Sequence, residues 1–328
     1  IPVFNRPGEM QELLESISIQ TFDRSFEVVV IEDGSKETAK EVVDSYQGKL
    51  NIRYIFKDNT GPGDSRNVGM QKASGDYFLI LDSDCVLPSR YLETVDRNLL
   101  EEYVHCFGGP DTDKKSFTVL QRAINYSLTS PLTTGGIRGG KKALTRFQPR
   151  SFNMGISREA FVRSGGFGKI HPGEDPDLVI RLWKLGYATR LYSDAWVYHK
   201  RRIEPAGFIR QVYKFGLVRA ILNFWHPDSQ RFVFWLPTLF CAGILDMGLY
   251  FLIGWSLLGT AMAILYILYL ILLFFHSLVT TKNLMVALLS PFTTILQFLG
   301  YGYGFIKSTI LVNFIKRNPQ TAFPQLFF

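Results

Sequence analysis

The residues that could carry chemistry stand at the ends of predicted strands. Asn5 follows the first apolar run, residues 32–35 (EDGS) follow the second, and Asp82 and Asp84 follow the fourth. In an open α/β sheet the ligand site lies beyond the carboxyl ends of the strands, so these side chains should converge at one edge. Two carboxylates spaced i and i+2 offer hard oxygen ligands to a divalent cation, whose shell a nucleotide's phosphates would complete. The alternative is an ordinary acidic turn.

Short apolar runs alternate with helical patterns along residues 1–199, which is typical of an α/β fold with a mostly parallel central sheet. The predicted strands are residues 1–4, 26–31, 52–56, 77–81, 104–107, 151–156, 188–192 and 195–198. The predicted helices are residues 9–20, 37–46, 62–73 and 176–185, with one more after Pro88. The first strand is expected to be truncated. Residues 111–150, rich in Gly, Thr and basic residues, are predicted to form mobile loops over the site.

Composition divides the chain into a soluble head and an apolar tail. The chain has 328 residues, a net charge of +7 and 47% hydrophobic residues. From residue 232 to residue 279 the only formal charge is Asp246, and residues 284–306 carry none. This composition excludes a disordered chain, and three cysteines without a CxxC pair argue against a disulfide framework or a cysteine zinc site. We expect a soluble domain in residues 1–199 followed by a membrane anchor.

The membrane region is predicted in residues 232–306, as two or three spans. As one helix, the first 48 residues would extend roughly 70 Å across a hydrocarbon core of about 30 Å. Two spans with a turn near residues 254–259 fit better. Residues 284–306 either cross once more or form a re-entrant hairpin, which Pro291 and the run GYGYG would allow. Residues 307–328 form a tail.

A basic segment, residues 200–231, precedes the membrane region and carries a net charge of +5, against −1 for residues 1–199. It contains an apolar stripe at helical spacing, formed by Phe208, Val212, Phe215, Val218, Leu222 and Trp225. The pattern predicts a basic amphipathic juxtamembrane helix on anionic headgroups; a solvated basic face that follows the positive-inside rule explains the charge as well. Both interpretations place the head in the cytoplasm. We expect a multi-pass protein of the bacterial inner membrane, with membrane lipids as partners and no nucleic acid.

Seven short motifs resemble those of family 2 glycosyltransferases, in the same order and at the same spacing. They are IPVFNRP, VVVIEDGS, GPGDSRNVGM, SGDYFLILDSDC, SFNMGISREAF, GGFG and GEDPDLVIRLWKLGY, and the resemblance extends over roughly residues 1–200. The resemblance implies the nucleotide-sugar-binding fold called GT-A. It also implies sugar transfer from a nucleotide-diphosphate sugar with inversion at the anomeric carbon, and Mg²⁺ or Mn²⁺ as cofactor.

The resemblance also implies a nucleotide-binding set. Pro2, Phe4 and Asn5 match the first-strand motif that borders the nucleotide, and Asp33 matches the acid that reads the base. Arg66 matches the arginine of a helix motif near the nucleotide; the alternative is that it pairs with a nearby carboxylate such as Asp64.

The implied metal and catalytic residues come from three further motifs. Asp82 and Asp84 match the DxD pair, with Asp82 near the ribose and Asp84 on the metal. Asp175 matches the catalytic base, with Glu174 beside it, although acids at the start of a helix also favour the helix dipole. His199 matches a histidine that approaches the metal or diphosphate in some relatives, and its alternative is a surface histidine.

Two departures from the family pattern narrow the expected function. Cys85 stands where a further acid is frequent, and the QxxRW motif of processive polysaccharide synthases is missing. We expect transfer from a UDP- or GDP-sugar to a lipid-linked or glycan acceptor at the cytosolic membrane face. The alternatives are a polyprenyl-phosphate sugar synthase and a non-catalytic nucleotide-sensing head, and only the sensor would not need Asp175 as a base.

Overall fold

The computed structural model describes residues 1–112, 118–136, 147–199 and 205–328. The chain divides into two compact units. The sheet unit comprises Ile1–Lys115, Lys142–Arg201 and Phe327–Phe328. The helical unit comprises Ser116–Lys141 and Arg202–Leu326.

The sheet unit alternates strands and helices as predicted. Its strands are β1 (Pro2–Val3), β2 (Val28–Asp33), β3 (Ile52–Lys57), β4 (Tyr77–Leu81), β5 (Cys85–Val86), β6 (Cys106–Gly108), β7 (Asp111–Thr112), β8 (Asn153–Ser157), β9 (Thr189–Leu191) and β10 (Val197–His199). Its helices are α1 (Pro7–Ser18), α2 (Lys40–Asp44), α3 (Pro62–Lys72), α4 (Tyr91–Glu101), α7 (Arg158–Ser164) and α8 (Glu174–Lys184).

The strands form one parallel and two mixed sheets. The first has the order β1–β2–β3 and is parallel throughout. The second has the order β4–β8–β6–β9, in which β8 runs antiparallel to both neighbours and β9 runs parallel to β6. A small third sheet, β5–β10–β7, pairs β10 antiparallel with β5. The α/β class is confirmed, and the predicted parallel arrangement describes the first sheet.

The first sheet is covered by the apolar face of α1, as its sequence spacing predicts. Met10, Leu13, Leu14 and Ile17 are buried in the same core cluster as Val30 of β2. Each fully buried side chain of this size contributes about 1.5–3 kcal/mol. This packing holds rigid the strands whose ends carry the polar residues of the site.

The prediction of loops across residues 111–150 is wrong for the part that the structure describes. Residues 118–136 contain α5 (Val119–Thr129) and α6 (Pro131–Thr134) in the helical unit. Thr118 and Gln121 form a reciprocal capping box that begins α5. Residues 113–117 and 137–146 of the predicted loop lie outside the described residues.

The rest of the helical unit is α9 (Pro205–Trp225), α10 (Leu236–Leu252), α11 (Ser256–Thr281), α12 (Leu284–Ser308) and α13 (Pro319–Ala322). Three segments are long and apolar enough to cross a membrane: Phe232–Leu252, Ser256–Thr281 and Leu284–Phe314. The turn at residues 253–255 lies where the sequence predicts one. The alternative of a re-entrant hairpin is wrong, because α12 continues through Pro291 and the GYGYG run.

The apolar stripe of α9 packs against protein. Phe208 and Val212 are buried in one cluster with Ile124 and Leu128 of α5, and α12 contacts α9 along its length. The prediction that this stripe lies in the membrane interface is therefore wrong. Residues 200–204, which contribute to the predicted basic segment, are outside the described residues.

The glycines of GYGYG allow this packing. A Cβ added at Gly304 would lie 2.3 Å from the carbonyl oxygen of Tyr213 in α9, and one at Gly300 would lie 2.7 Å from the Val212 side chain. A Cβ at Gly302 would lie 2.9 Å from the Pro237 carbonyl oxygen in α10. The alternate glycines thus let α12 approach two neighbouring helices closely.

Candidate active site

Arg66 connects two of the predicted acidic motifs. It projects from α3, where it is 7% exposed. Its Nη2 donates to Asp82 Oδ1 at 2.7 Å, and its Nη1 donates to Glu174 Oε1 at 3.1 Å. The alternative partner Asp64 instead lies 3.3 Å from Lys57. Arg66 therefore brings together the acid after β4 and the start of α8, which are far apart in sequence.

Asp84 lies between two cationic side chains. Arg6 Nη1 donates to Asp84 Oδ2 at 2.8 Å, and His199 Nε2 lies 3.1 Å from Asp84 Oδ1. His199 reaches this position because it pairs with Cys85 across the antiparallel strands β5 and β10. The His199 contact lacks hydrogen-bond geometry, so Asp84 Oδ1 is buried without a hydrogen bond among the described residues.

These groups fit a divalent cation. The Asp84 carboxylate is a hard oxygen ligand of the kind that Mg²⁺ and Mn²⁺ take, and the His199 imidazole lies beside it. Cys85 Sγ lies within 4.8 Å of the Asp84 and His199 ligand atoms, but burial and the carboxylates of Asp82 and Asp84 raise its pKa well above the ordinary value. A neutral thiol is a poor ligand for a hard cation, so Asp84 and His199 form the metal-compatible pair.

The charges around Asp84 shift two pKa values. Burial alone would raise the pKa of Asp84, but the neighbouring His199 imidazole and the charge and hydrogen bond of Arg6 lower it below its usual range. Burial alone would lower the pKa of His199, but the carboxylates of Asp111 and Asp84 raise it to about 9. His199 is thus a partly buried member of the site, and the surface alternative does not describe it.

Asp175 and Glu174 open α8 but have different surroundings. Glu174 is 4% exposed and its Oε1 accepts from Arg66 and from His171 Nδ1, the latter at 3.0 Å. Burial alone would raise the pKa of Glu174, but His171 and Arg66 hold it well below its usual range. The Glu174 carboxylate thus holds Arg66 and His171, and its predicted catalytic role stays a prediction.

Asp175 has an unused carboxylate oxygen. Its Oδ2 accepts from the Ser151 backbone N–H at 3.2 Å, while Oδ1 has no hydrogen-bond partner within the described ranges. Burial and the neighbouring charge of Glu174 raise the pKa of Asp175 to about 6. The residue at the N-cap of α8 is Gly173, and no side chain caps this helix. Asp175 nevertheless lies in the first turn of α8, where a carboxylate favours the helix dipole, so this alternative role stays open beside that of the base.

The predicted nucleotide residues lie at the ends of β1 and β2. Asn5 adopts a left-handed backbone conformation with φ of 51°. Its N–H donates to Ser35 Oγ at 2.7 Å, and its Oδ1 accepts from the N–H of Lys36 at 2.8 Å. Asn5 thereby ties β1 to the loop that follows β2. Pro2 lies within β1, and the nearby Phe4 ring is 48% exposed.

Asp33 organises the loop that leads into α3. It is 4% exposed, and its carboxylate accepts from the N–H groups of Thr60 and Gly61, each at 3.0 Å. Lys57 Nζ also donates to it at 2.5 Å. Asp33 thus holds the turn that begins the helix carrying Arg66.

Three further residues of the site escaped the sequence reasoning. Arg6 directly follows Asn5, and this position next to a predicted nucleotide-binding residue could have identified it from the sequence. His171 stands three residues before Glu174, and Asp111 Oδ2 lies 3.8 Å from His199 Nδ1. Neither His171 nor Asp111 belongs to a motif that would distinguish it from a loop residue.

Comparisons with known proteins agree with this geometry. An uncharacterized glycosyltransferase of Haemophilus influenzae is 28% identical over 187 residues, covering 56% of this chain and 60% of that protein. The GalNAc(5)-diNAcBac-PP-undecaprenol beta-1,3-glucosyltransferase of Campylobacter jejuni is 34% identical over 111 residues, or 33% of this chain and 36% of that protein. Matched segments cover only 12% to 15% of several other curated relatives.

One solved structure resembles most of the chain. It is the mannosyltransferase PcManGT of Pyrobaculum calidifontis, solved with GDP-Man and Mn²⁺. The TM-score is 0.60 at 16% identity, over 90% of this chain and 85% of that one, which shows a shared fold. The profile of glycosyl transferase family 2 matches residues 1–165, half of the sequence. This match shows that the chain belongs to glycosyl transferase family 2.

Proposed function

We propose that this chain is a membrane-anchored, inverting glycosyltransferase. It transfers a sugar from a UDP- or GDP-sugar to a lipid-linked acceptor at the cytosolic face of the membrane. The observation that carries the proposal is the pair of unsatisfied carboxylate oxygens, Asp84 Oδ1 and Asp175 Oδ1. They belong to the two motifs that Arg66 joins, so a cation ligand and a free base stand in one connected site.

The donor would bind at the ends of β1, β2 and β4. Asp84 and His199 would hold Mg²⁺ or Mn²⁺, which neutralises charge on the leaving diphosphate when bound. Arg6 is available to the same phosphates, since its side chain is 44% exposed and already reaches Asp84. Asp82 faces the ribose and Asp33 orders the loop beside the base. The donor complex of PcManGT with GDP-Man and Mn²⁺ supports a nucleotide-sugar donor with a divalent ion.

Asp175 is the proposed general base. It takes the proton of the acceptor hydroxyl while that oxygen attacks the anomeric carbon, and the nucleoside diphosphate leaves from the opposite face. Single displacement inverts the anomeric centre. A pKa raised to about 6 suits this role, because the group is ionised at neutral pH yet basic enough to accept a proton. A nucleotide sensor would not need this feature.

A lipid-linked acceptor explains the attached helical unit. Three segments of this unit have the length and composition of membrane spans. The name of the Campylobacter relative includes an undecaprenol diphosphate carrier, which supports an acceptor of this class. The net charge of +5 in residues 200–231 supports a cytoplasmic catalytic unit under the positive-inside rule, on a bacterial inner membrane.

Release of nucleoside diphosphate tests the proposal. The purified chain in lipid is incubated with Mn²⁺ and a panel of UDP- and GDP-sugars, with and without a bacterial lipid extract. We expect UDP or GDP release from one donor that depends on the extract, and a new glycolipid in the organic phase. Binding without any release would favour the sensor, and release with polyprenyl phosphate as sole acceptor would favour the synthase.

A further inference from the structure

The last two described residues return to the sheet unit. Phe327 forms an antiparallel bridge with Ile170, and the N–H of Phe328 donates to the Lys169 carbonyl oxygen at 3.3 Å. The preceding residues Phe323 and Leu326 are 2% and 0% exposed in the helical unit. Phe327–Phe328 is therefore a short strap that is fixed on the loop before α8.

The Phe328 ring lies directly on Gly61. A Cβ added at Gly61 would come within 2.4 Å of the ring, and Gly61 has φ of +91°, where side chains are disfavoured. The position therefore needs glycine for both backbone conformation and ring contact. The Gly61 N–H in turn donates to Asp33 at 3.0 Å. The ring thus covers the loop that the proposed base-reading carboxylate holds.

A second group of the site flanks the ring. The His171 and Phe328 ring centroids are 6.0 Å apart, and His171 bonds Glu174, the partner of Arg66. Despite these neighbours, Phe328 remains 52% exposed. One part of the ring rests on the site loops, and a large part stays available to a ligand.

The exposed ring beside the proposed nucleotide site offers a flat apolar surface, and a nucleobase is an appropriate partner for it. Bases stack on aromatic side chains with about 1–3 kcal/mol per base, largely independent of their identity. The other aromatic ring expected near the nucleotide is Phe4, also half exposed, at the end of β1. Hydrogen bonds connect the segments that carry the two rings. Asn5, next to Phe4, donates to Ser35 in the loop after β2, and Gly61, under Phe328, donates to Asp33 at the end of β2.

The geometry points to Phe328 as a donor-binding residue whose exposed ring stacks on the nucleobase of the nucleotide sugar. This inference rests on the proposed function, which supplies the donor. The inference goes beyond the proposed function because it assigns part of the nucleotide site to the strap, which directly follows the helical unit in sequence.

The test compares ligands with and without a base. Dissociation constants of UDP, GDP and inorganic pyrophosphate are measured by calorimetry with Mn²⁺ on the full chain. We expect Phe328→Ala to weaken the preferred nucleotide roughly 5- to 150-fold, which corresponds to loss of one stacked base. Affinity for pyrophosphate should not change. Phe328→Tyr should retain nucleotide affinity, whereas Phe328→Leu, which keeps apolar bulk without an aromatic face, should lose most of it.

The control is Phe56→Ala, which removes a phenylalanine of matching exposure (53%) on β3 and should leave nucleotide affinity unchanged. If Phe328→Ala is unstable, the nucleotide affinities of Phe328→Tyr and Phe328→Leu are compared instead. Wild-type affinity in Phe328→Leu, or tighter nucleotide binding by Phe328→Ala, would overturn the inference and leave the proposed function standing. A wild-type chain that binds neither nucleotide would overturn both.

Discussion

Arg66 shows how one residue determines the arrangement of this site. Its guanidinium is nearly buried between Asp82 and Glu174, and these two contacts connect segments that stand 92 positions apart in the printed sequence. A buried arginine is stable only when its charge is balanced by carboxylates. Removing either carboxylate would leave the buried charge of Arg66 only partly balanced, so the positions of Asp84 and Asp175 depend on this neighbouring set of ion pairs.

At the residue scale, Asp84→Ala should abolish the response of donor binding to Mn²⁺. Without the cation, the diphosphate and nearby carboxylates repel one another in a partly desolvated site. We expect donor affinity to fall more than about 10-fold, the lower end of the loss seen for outer-shell metal partners. Titrations with Mn²⁺ and with EDTA measure this, and Asp76→Ala, whose side chain is fully exposed, is the control. Donor affinity that EDTA leaves unchanged would contradict the metal assignment.

Asp175→Asn should separate turnover from donor binding. Asparagine can still accept the Ser151 N–H bond but cannot take a proton, so turnover should fall roughly 10²- to 10⁴-fold while donor affinity changes little. For the wild type, turnover should fall below a pH of about 6 as Asp175 becomes protonated. The same chemical change at Asp76 is the control. A folded, donor-binding Asp175→Asn variant with wild-type turnover would show that another residue is the base.

Asp177 is unsuitable as that control. It is 6% exposed and accepts from Arg181 at 2.8 Å. Its replacement would perturb the packing of α8 itself.

The raised pKa of Asp175 also predicts a change in stability. The folded chain keeps this proton up to a pH of about 6, whereas an unfolded aspartate releases it near its ordinary pKa of 3.8. Asp175 therefore supports the fold fully below pH 3.8, and this contribution is lost as pH rises through about 6. At higher pH the ionised group costs up to about 3 kcal/mol. Asp175→Asn should melt at a higher temperature than the wild type at pH 8, and this difference should vanish at acidic pH near 4. A lower melting temperature at pH 8 would contradict burial as the cause.

At the element scale, the contact between α9 and α12 depends on small residues. Gly304→Ala would place a methyl group 2.3 Å from a backbone oxygen, so the helices must separate, at a cost of about 1–3 kcal/mol. Gly248→Ala in α10 is the matched control, because no atom lies within 4 Å of the added Cβ among the described residues. That substitution should be neutral or gain up to about 1 kcal/mol from helix propensity. Thermal unfolding of the two variants in the same detergent measures both changes in stability. Equal changes for Gly304→Ala and Gly248→Ala would contradict close packing at Gly304.

The elements also show what local sequence can and cannot predict. Strands β2 and β4 and the stripe on α1 were predictable, because apolar periodicity reports burial directly. The proposal of Asp82 and Asp84 as site residues came from their carboxylates directly after the predicted strand β4. By contrast, α5 and α6 were missed because Gly and Thr around them resemble loop composition. The α9 stripe was assigned to lipid because an apolar face does not reveal whether lipid or another helix covers it. Phe328 carries no local signal, since its contacts with residues 61 and 171 come from the fold.

At the scale of the whole molecule, the strap predicts an even number of membrane crossings. Phe327–Phe328 belongs to the sheet unit, and the rest of that unit, up to residue 201, comes before the apolar segments in the sequence. A chain that leaves one side and returns to it makes an even number of crossings. Of the three candidate segments, Phe232–Leu252 and Ser256–Thr281 are 6% and 11% buried in the protein, whereas Leu284–Phe314 is 44% buried. We therefore expect the first two to cross.

Cysteine labelling tests this topology. With Cys241 replaced by serine, single cysteines are introduced as Asp76→Cys in the sheet unit, Trp255→Cys between α10 and α11, and Gln320→Cys in α13. All three positions are exposed, and the native Cys85 and Cys106 are buried. In sealed inverted vesicles, an impermeant maleimide should label residues 76 and 320 and spare residue 255. If residue 320, like residue 255, is labelled only after the vesicles are opened, the number of crossings is not even.

The return of the strap gives a different meaning to the apolar composition of α12. Hydropathy measures how poorly a side chain tolerates water, and the interior of a membrane-seated unit excludes water as well as lipid does. A helix enclosed by α5, α9, α10 and α11 can thus have the composition of a span without being one. Lys307, Lys316 and Arg317 then stay on the same side as the basic residues that precede α10. With three crossings these residues would lie on the opposite side, against the positive-inside rule, so two crossings agree better with the distribution of charge.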